Sequence, residues 1–210
     1  MRLIHLSDLH ITDCGKPIWD TNVVSHFEMM LDKIKQVKDV DAIIVTGDIS
    51  NDGSPWSYDY VFKSFDALGV PVLCCPGNHD SLPSFHSGST NRSVHIGGWK
   101  VILLNSVMKD EDDPNKNRAS GYIYPEAIAW LREELKEQIP TCIALHHPTL
   151  DPGGWFNRKL LINRDEFNAL IQNFEHVKLV MYGHIHYHTC ERIGQPRERV
   201  YPHKTQSTMG

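Results

Sequence analysis

No apolar run in this sequence approaches the roughly 18 residues that a membrane-spanning helix needs. The N-terminus, Met1-Arg2-Leu3-Ile4-His5-Leu6-Ser7-Asp8, meets an acidic residue too early for a secretory signal. Lys and Arg never gather into a stripe, and the net charge is −5. That combination disfavours an extended nucleic-acid surface or an anionic membrane as partner. Cysteine is scarce and unpatterned: the five residues Cys14, Cys74, Cys75, Cys142 and Cys190 are odd in number and have no C-x-x-C spacing. Cys74 and Cys142 lie in apolar runs and read as small core hydrophobes, so a reducing, cytoplasmic compartment is expected. Internal repeats and low-complexity linkers are also missing. The expectation is one domain over residues 1–210, long enough to bury roughly 70% of the unfolded chain's surface.

Histidine, by contrast, is abundant, with thirteen residues. His26, His86, His176 and His203 read as surface or loop positions. His10, His79, His146, His147, His184 and His186 are different, because each falls just after an apolar run. Histidine gathered at element ends signals metal binding or acid–base chemistry.

Six apolar runs bounded by turn residues predict buried strands: Leu3 to Leu6, Ala42 to Val45, Val70 to Cys75, Val101 to Leu104, Cys142 to Leu145 and Val177 to Tyr182. Between them lie helical spacings. One runs through Val23, Phe27, Met30, Leu31 and Ile34, another through Tyr58, Val61, Phe62 and Phe65. Pro125 suits the first turn of a helix that buries Ile128, Leu131 and Leu135. Asn163 with Glu166 predicts a capping box before Phe167, Leu170 and Ile171. Gly97-Gly98 splits Val94-His95-Ile96 from Trp99-Lys100-Val101 as a hairpin would, and a second hairpin is expected between Thr189 and Tyr201. Alternating strands and helices followed by hairpins give a layered α/β sandwich with mixed sheets.

Five of the predicted strands run directly into polar residues of one chemical kind. These are Asp8-x-His10, Gly47-Asp48, Gly77-Asn78-His79-Asp80, His146-His147 and Gly183-His184-Ile185-His186. Ligands in open α/β sheets gather at the carboxyl ends of strands, so the five clusters can converge on one crevice. A period of two puts Asp8 and His10 on one side of an extended backbone, and His184 and His186 likewise. Glycines 47, 77 and 183 let the chain turn tightly against the site. Oxygen and nitrogen donors without cysteine argue for iron, manganese or zinc in an open site rather than a closed structural zinc. Seven ligands exceed what one ion that also holds water and substrate can use. Two ions roughly 3.5–4 Å apart, bridged by one carboxylate, would use them all.

These five motifs, in this order, resemble the calcineurin-like metallophosphoesterase superfamily, from Met1 to about Cys190. Gly-Asn-His-Asp and the Leu145-His146-His147-Pro148 turn are most similar to class III cyclic-nucleotide phosphodiesterases and the related glycerophosphodiesterases. The resemblance implies an α/β/β/α sandwich and hydrolysis of a phosphate ester by water activated between two metal ions. It implies that one ion would take Asp8, His10, Asp48 and His186, and the other Asp48, Asn78, His146 and His184. Asp48 is then the bridge, and His79 faces the substrate, stabilising phosphate or protonating the leaving alkoxide. His147, pointing the other way at period two, reads as a packing residue.

Around this centre the sequence offers Asn51, Asp52, Arg158 and Arg164 as substrate contacts, and Gly153-Gly154-Trp155 as a flap. A small nucleotide or glycerophospho-type diester is the expected substrate. Protein phosphatases of this fold carry an arginine a few positions after Gly-Asp, whereas this chain has Ile49-Ser50-Asn51-Asp52-Gly53. A phosphomonoesterase or phosphoprotein phosphatase is the rival enzyme, and a binding scaffold, which would have lost ligands, is the rival from another class. The resemblance also makes a dimer possible.

Overall fold

The computed structural model describes residues 1–82, 91–113, 116–151, 159–186 and 190. Arg158, Gly153-Gly154-Trp155, His86, His203 and, Cys190 aside, the hairpin expected over 189–201 lie outside them. Strands β1 (Leu3–Leu6), β2 (Ala42–Thr46) and β3 (Val72–Cys75) form a parallel sheet in that order. Strands β4 (Arg92–Ile96), β5 (Trp99–Leu103), β6 (Thr141–Ala144) and β7 (Val177–Met181) form a second sheet, antiparallel between β4 and β5 and parallel beyond. The turn joining β4 to β5 uses Gly97 and Gly98 at φ 54° and 75°, the left-handed pair that a two-residue hairpin requires.

Helices α1 (Val23–Ile34) and α2 (Pro55–Asp66) flank the first sheet, and α3 (Pro125–Glu134) and α4 (Arg164–Ile171) the second. Their starts follow from local chemistry. Asn22 caps α1 by accepting from Ser25 N at 3.0 Å, and Ser54 caps α2 by accepting from Ser57 N at 3.3 Å. The capping box expected at Asn163 is not formed. Asn163 is the N-cap residue, but its amide bridges to Ile123, accepting from N at 3.1 Å and donating to O at 2.9 Å. The same Nδ2 also donates to Glu166 Oε2 at 3.2 Å, so the two side chains meet, but the Asn163 side chain does not accept from the N–H groups of the first turn as a capping box requires.

The layers follow from which faces are apolar. Ile43 and Val45 of β2 pack with Phe27, Leu31, Val61 and Phe65 of α1 and α2. The alternate residue Ile44 faces the other way, with Leu73 and Cys75, against Val101, Leu103 and Ala144 of the second sheet. On the far side of that sheet, Ile102 and Ile143 meet Ile128, Leu131, Phe167 and Leu170 of α3 and α4. This is the α/β/β/α sandwich. Strands covered on both faces read as unbroken apolar runs, which is why β2 and β6 show no polar alternation. Among the described residues no helix is long and apolar enough to cross a membrane.

Candidate metal centre

The C-terminal ends of β1, β2, β3, β6 and β7 meet at one edge of the sandwich, and each hands over to a loop that turns sharply. Five of the seven sequence-predicted ligands adopt left-handed backbone conformations: Asp8 (φ 55°), His10 (48°), Asp48 (51°), His184 (72°) and His186 (54°). Each such residue without a glycine's freedom costs roughly 1–3 kcal/mol and persists only where its surroundings hold it. Here the loops hold one another. Asp8 N donates to Gly47 O at 3.0 Å, His10 N to Asp48 O at 2.9 Å, and Gly183 N to His146 O at 3.0 Å. The His184 N–H donates to the Asp8 carboxylate at 2.9 Å, tying the first sheet's loop to the second's.

Close approach explains the glycines. A Cβ on Gly47 (φ +87°) would lie 2.6 Å from Gly77 N and 2.7 Å from His146 Nδ1. One on Gly183 would collide with Ser7 Oγ and stand 2.7 Å from Asp8 Oδ2.

The donor atoms fall into two groups sharing Asp48. In the first, His10 Nε2 lies 3.1 Å from His186 Nε2 and 3.7 Å from Asp48 Oδ2, and His186 Nε2 lies 3.4 Å from Asp8 Oδ1. In the second, His146 Nε2 lies 3.1 Å from Asn78 Oδ1, 3.1 Å from His184 Nδ1 and 3.4 Å from Asp48 Oδ2. His146 Nδ1–H is committed to Thr46 O at 2.7 Å. A carbonyl only accepts, so Nδ1 carries a hydrogen and Nε2 is the nitrogen that faces the other acceptors. Acceptor atoms converging on one another around a shared carboxylate suit cations between them, and the nitrogen and oxygen donor set suits a first-row transition ion. The residues therefore fit the metals that the sequence implies.

The electrostatics agree in direction. Burial opposes charge on Asp48, but His146, then His10, and the His79 N–H (2.8 Å) hold its carboxyl far below the usual range. Burial likewise disfavours a charged His146, yet Asp48 and then Asp8 push it up to about 9. For His184, burial and then the neighbouring His146 bring it down to about 4, and the charge of Lys159 adds to the effect. Asp8 is lowered, burial being outweighed chiefly by its hydrogen bond with His186.

His79 borders the first group, with a ring nitrogen within 4.8 Å of donor atoms of His10 and Asp48. It is solvent-exposed, its ring meets His10 edge-on at 4.9 Å between centroids, and its Nδ1–H donates to Asn51 O at 3.0 Å. Its Nε2 is thereby left as the exchangeable nitrogen. His147 is fully buried, with Nδ1 2.8 Å from Ser106 Oγ and its ring 4.9 Å from that of His184, and one of its nitrogens lies within 4.8 Å of donor atoms of His146 and His184, which places it beside the second donor group.

Of the expected substrate contacts, Asn51 reaches the site through its backbone carbonyl. Asp52 is occupied in the loop, accepting from Asp13 N at 2.9 Å and Ser54 N at 3.2 Å. Arg164 opens α4 and its nearest carboxylate contact is Asp165 at 4.0 Å. Sequence reading missed three participants. Lys159 adds a cation on the His184 side. Thr46 fixes the His146 ring through its carbonyl. Asp80, buried, accepts from Gly77 N at 2.8 Å, Ser50 N at 3.0 Å and Tyr58 Oη at 3.0 Å, and so pins the Asn78-His79 loop to the Asp48 loop. Burial raises the Asp80 carboxyl to about 6. Its place in Gly-Asn-His-Asp was the available signal.

Comparison with known proteins agrees with this geometry. The family described as calcineurin-like phosphoesterase matches residues 1–188. The chain belongs to that family. As a calcineurin-like phosphoesterase it is a phosphoric ester hydrolase of the metallophosphoesterase type, and divalent metal ions belong to the family's chemistry. It is similar to the 3′,5′-cyclic-nucleotide phosphodiesterase of Nostoc sp., 30% identical over 98% of this chain and 81% of that protein. It is also similar to the 3′,5′-cyclic adenosine monophosphate phosphodiesterase CpdA of Escherichia coli K12, 26% identical over 89% of this chain and 70% of that protein. A purple acid phosphatase from yellow lupin seeds shares the fold, with a TM-score of 0.60 and 15% identity over 89% of this chain and 38% of the phosphatase.

Proposed function

We propose that this calcineurin-like phosphoesterase hydrolyses a small phosphodiester, of nucleotide or glycerophospho type, at a dinuclear centre. Asp8, His10, Asp48 and His186 hold one ion, and Asp48, Asn78, His146 and His184 hold the other. The observation that carries the reading is the pair of donor groups meeting at Asp48 Oδ2, 3.7 Å from His10 and 3.4 Å from His146. The two relatives named as cyclic-nucleotide phosphodiesterases support it. Iron, manganese or zinc suits the donors. When bound, such a pair lowers the pKa of a shared water and neutralises charge on the phosphoryl oxygens.

The chain's own residues supply the rest. The Asp48 carboxylate, held ionised, keeps negative charge between the two ligand groups. Thr46 O, through Nδ1 of His146, keeps that ring's Nε2 free to ligate. His79, with Nδ1–H donating to Asn51 O, presents Nε2 to the ester. As water oxygen bonds to phosphorus and the ester P–O bond breaks, Nε2–H gives its proton to the departing alkoxide. The attacking water's proton leaves to solvent.

Charge supports a diester. A monoester dianion needs fixed cations, and the segment after Gly47-Asp48 carries Asn51 and Asp52 where an arginine would hold it. With Mn²⁺ supplied, kcat/KM for a bis-aryl diester should equal or exceed that for the matching aryl monoester, with measurable hydrolysis of cyclic nucleotides. A monoester preference of tenfold or more would replace the diesterase reading with a monoesterase one.

A further inference from the structure

The chain leaving β5 makes a hairpin-like excursion before returning at Gly121. Asp110 N donates to Lys116 O at 3.0 Å and Arg118 N to Met108 O at 2.7 Å, and Lys109 pairs with Asn117. Its returning limb carries Asn117, whose Nδ2 donates to Asn78 O at 3.0 Å and to Asp80 O at 2.9 Å. Carbonyls only accept, so the amide's nitrogen must face them, and both of its hydrogens are spent. Its Oδ1 is buried with no partner among the described residues. Burying such an acceptor is costly, and departures of this kind concentrate at functional sites.

The two carbonyls belong to the residues on either side of His79. We propose that Asn117 is a positioning residue for His79, orienting the peptides that flank it so that its imidazole faces the ester. Rigid placement is worth much in such a site, since an error of about 1 Å can cost on the order of 10²-fold in rate. His79 is then fixed at three places. Its N–H donates to Asp48 Oδ1 (2.8 Å), its Nδ1–H to Asn51 O (3.0 Å), and its flanking carbonyls rest on Asn117. Asp80 separately holds the loop from beneath through Gly77 N, Ser50 N and Tyr58 Oη. The loop's fold therefore does not hang on Asn117, but the direction of the His79 ring does. This inference rests on the reading of His79 as the acid.

The test uses the full chain loaded with Mn²⁺ and two diesters that differ only in leaving group, one a nitrophenolate and one an alkoxide. Asn117→Ala, and the isosteric Asn117→Asp that lacks both donors, are made in the wild-type and the His79→Ala backgrounds. The expected result is unchanged metal content, unchanged KM and a kcat loss of about 10- to 100-fold for the alkoxide diester. The nitrophenolate diester should lose less, and neither variant should fall further in the His79→Ala background. In the metal-free protein, the carbon-bound ring proton resonances of His79, which sense its edge-on contact with His10, should shift in both variants. An equal loss in the His79→Ala background, or loss of metal from either variant, would overturn the proposal. His79→Ala with wild-type kcat would instead sink His79 as the acid, while the carbon-bound ring proton resonances of His79 still decide whether Asn117 orients the ring.

Discussion

At the scale of single residues, the site is built from conformations that most side chains avoid. Five proposed ligand positions lie at positive φ, and they are held by hydrogen bonds between neighbouring loops of one sheet and, across the two sheets, by the His184 N–H on the Asp8 carboxylate. Gly47 is where this tolerance ends. Gly47→Ala adds a left-handed alanine, costing about 1–2 kcal/mol, and a contact of 2.6 Å with Gly77 N. Urea unfolding should show a loss of at least about that size, with weaker Mn²⁺ binding by titration; unchanged binding would mean that the loops are not packed as described. His79→Ala should keep its metals while kcat falls about 10²–10⁴-fold. That loss should shrink for a nitrophenolate leaving group, which needs no proton. Equal losses for both leaving groups would reassign His79 to phosphate binding. The seven proposed donors could be picked out because metal chemistry dictates residue type and the strands dictate spacing. Asn117 and Lys159 could not, because they act from unrelated segments, and neither could Thr46, which adjoins Gly47-Asp48 but holds His146 through its carbonyl. Asp80 stood inside a legible motif, but its partners Ser50 and Tyr58 come from another loop and a helix.

At the scale of elements, strands buried on both faces read plainly, and hairpin β4–β5 was marked by its glycine pair. Boundaries moved where backbone partners decide them. β3 starts at Val72 rather than Val70, and Pro71 O accepts from Ile43 N at 2.9 Å just outside it. The capping box at Asn163 failed for a similar reason, since Ile123 lies 40 residues away. Invisible in the pattern, too, was the joint between β5 and α3. There the buried Lys100 ammonium meets Glu134 Oε2 at 3.0 Å and Glu137 Oε2 at 2.8 Å, and also donates to Glu134 O at 2.9 Å. Glu134 is held below its ordinary range by its hydrogen bond from Ser93, with burial opposing and Lys100 adding to the lowering. A carboxyl depressed in the folded state stabilises above its unfolded pKa, and that stability is lost as pH falls through the folded value. Glu134→Gln should therefore cost on the order of 1 kcal/mol at pH 7, and the difference from wild type should close as pH drops into the acid range. A gap that stays constant with pH in denaturation curves would mean that the joint is held by packing alone.

At the scale of the whole molecule, two sheets meet so that neither completes the centre. The first brings Asp8, His10, Asp48 and Asn78, the second His146, His184 and His186. Metal binding should consequently stabilise the contact between the sheets as well as enable chemistry, because ligands drawn from both are bound only in the folded state. A chelator should lower the melting temperature of the wild-type protein, and added Mn²⁺ should restore it. Asp48 is the one side chain that the proposed function assigns to both ions, so the claim of a dinuclear centre rests most directly on it. The decisive measurement is metal content per chain, by elemental analysis after Mn²⁺ loading, for the wild type and Asp48→Ala, with turnover on the same samples. Two ions per wild-type chain are expected, and one or none, with activity lost, in the variant. One ion in the wild type, or two ions with wild-type turnover in Asp48→Ala, would contradict the claim of a dinuclear centre.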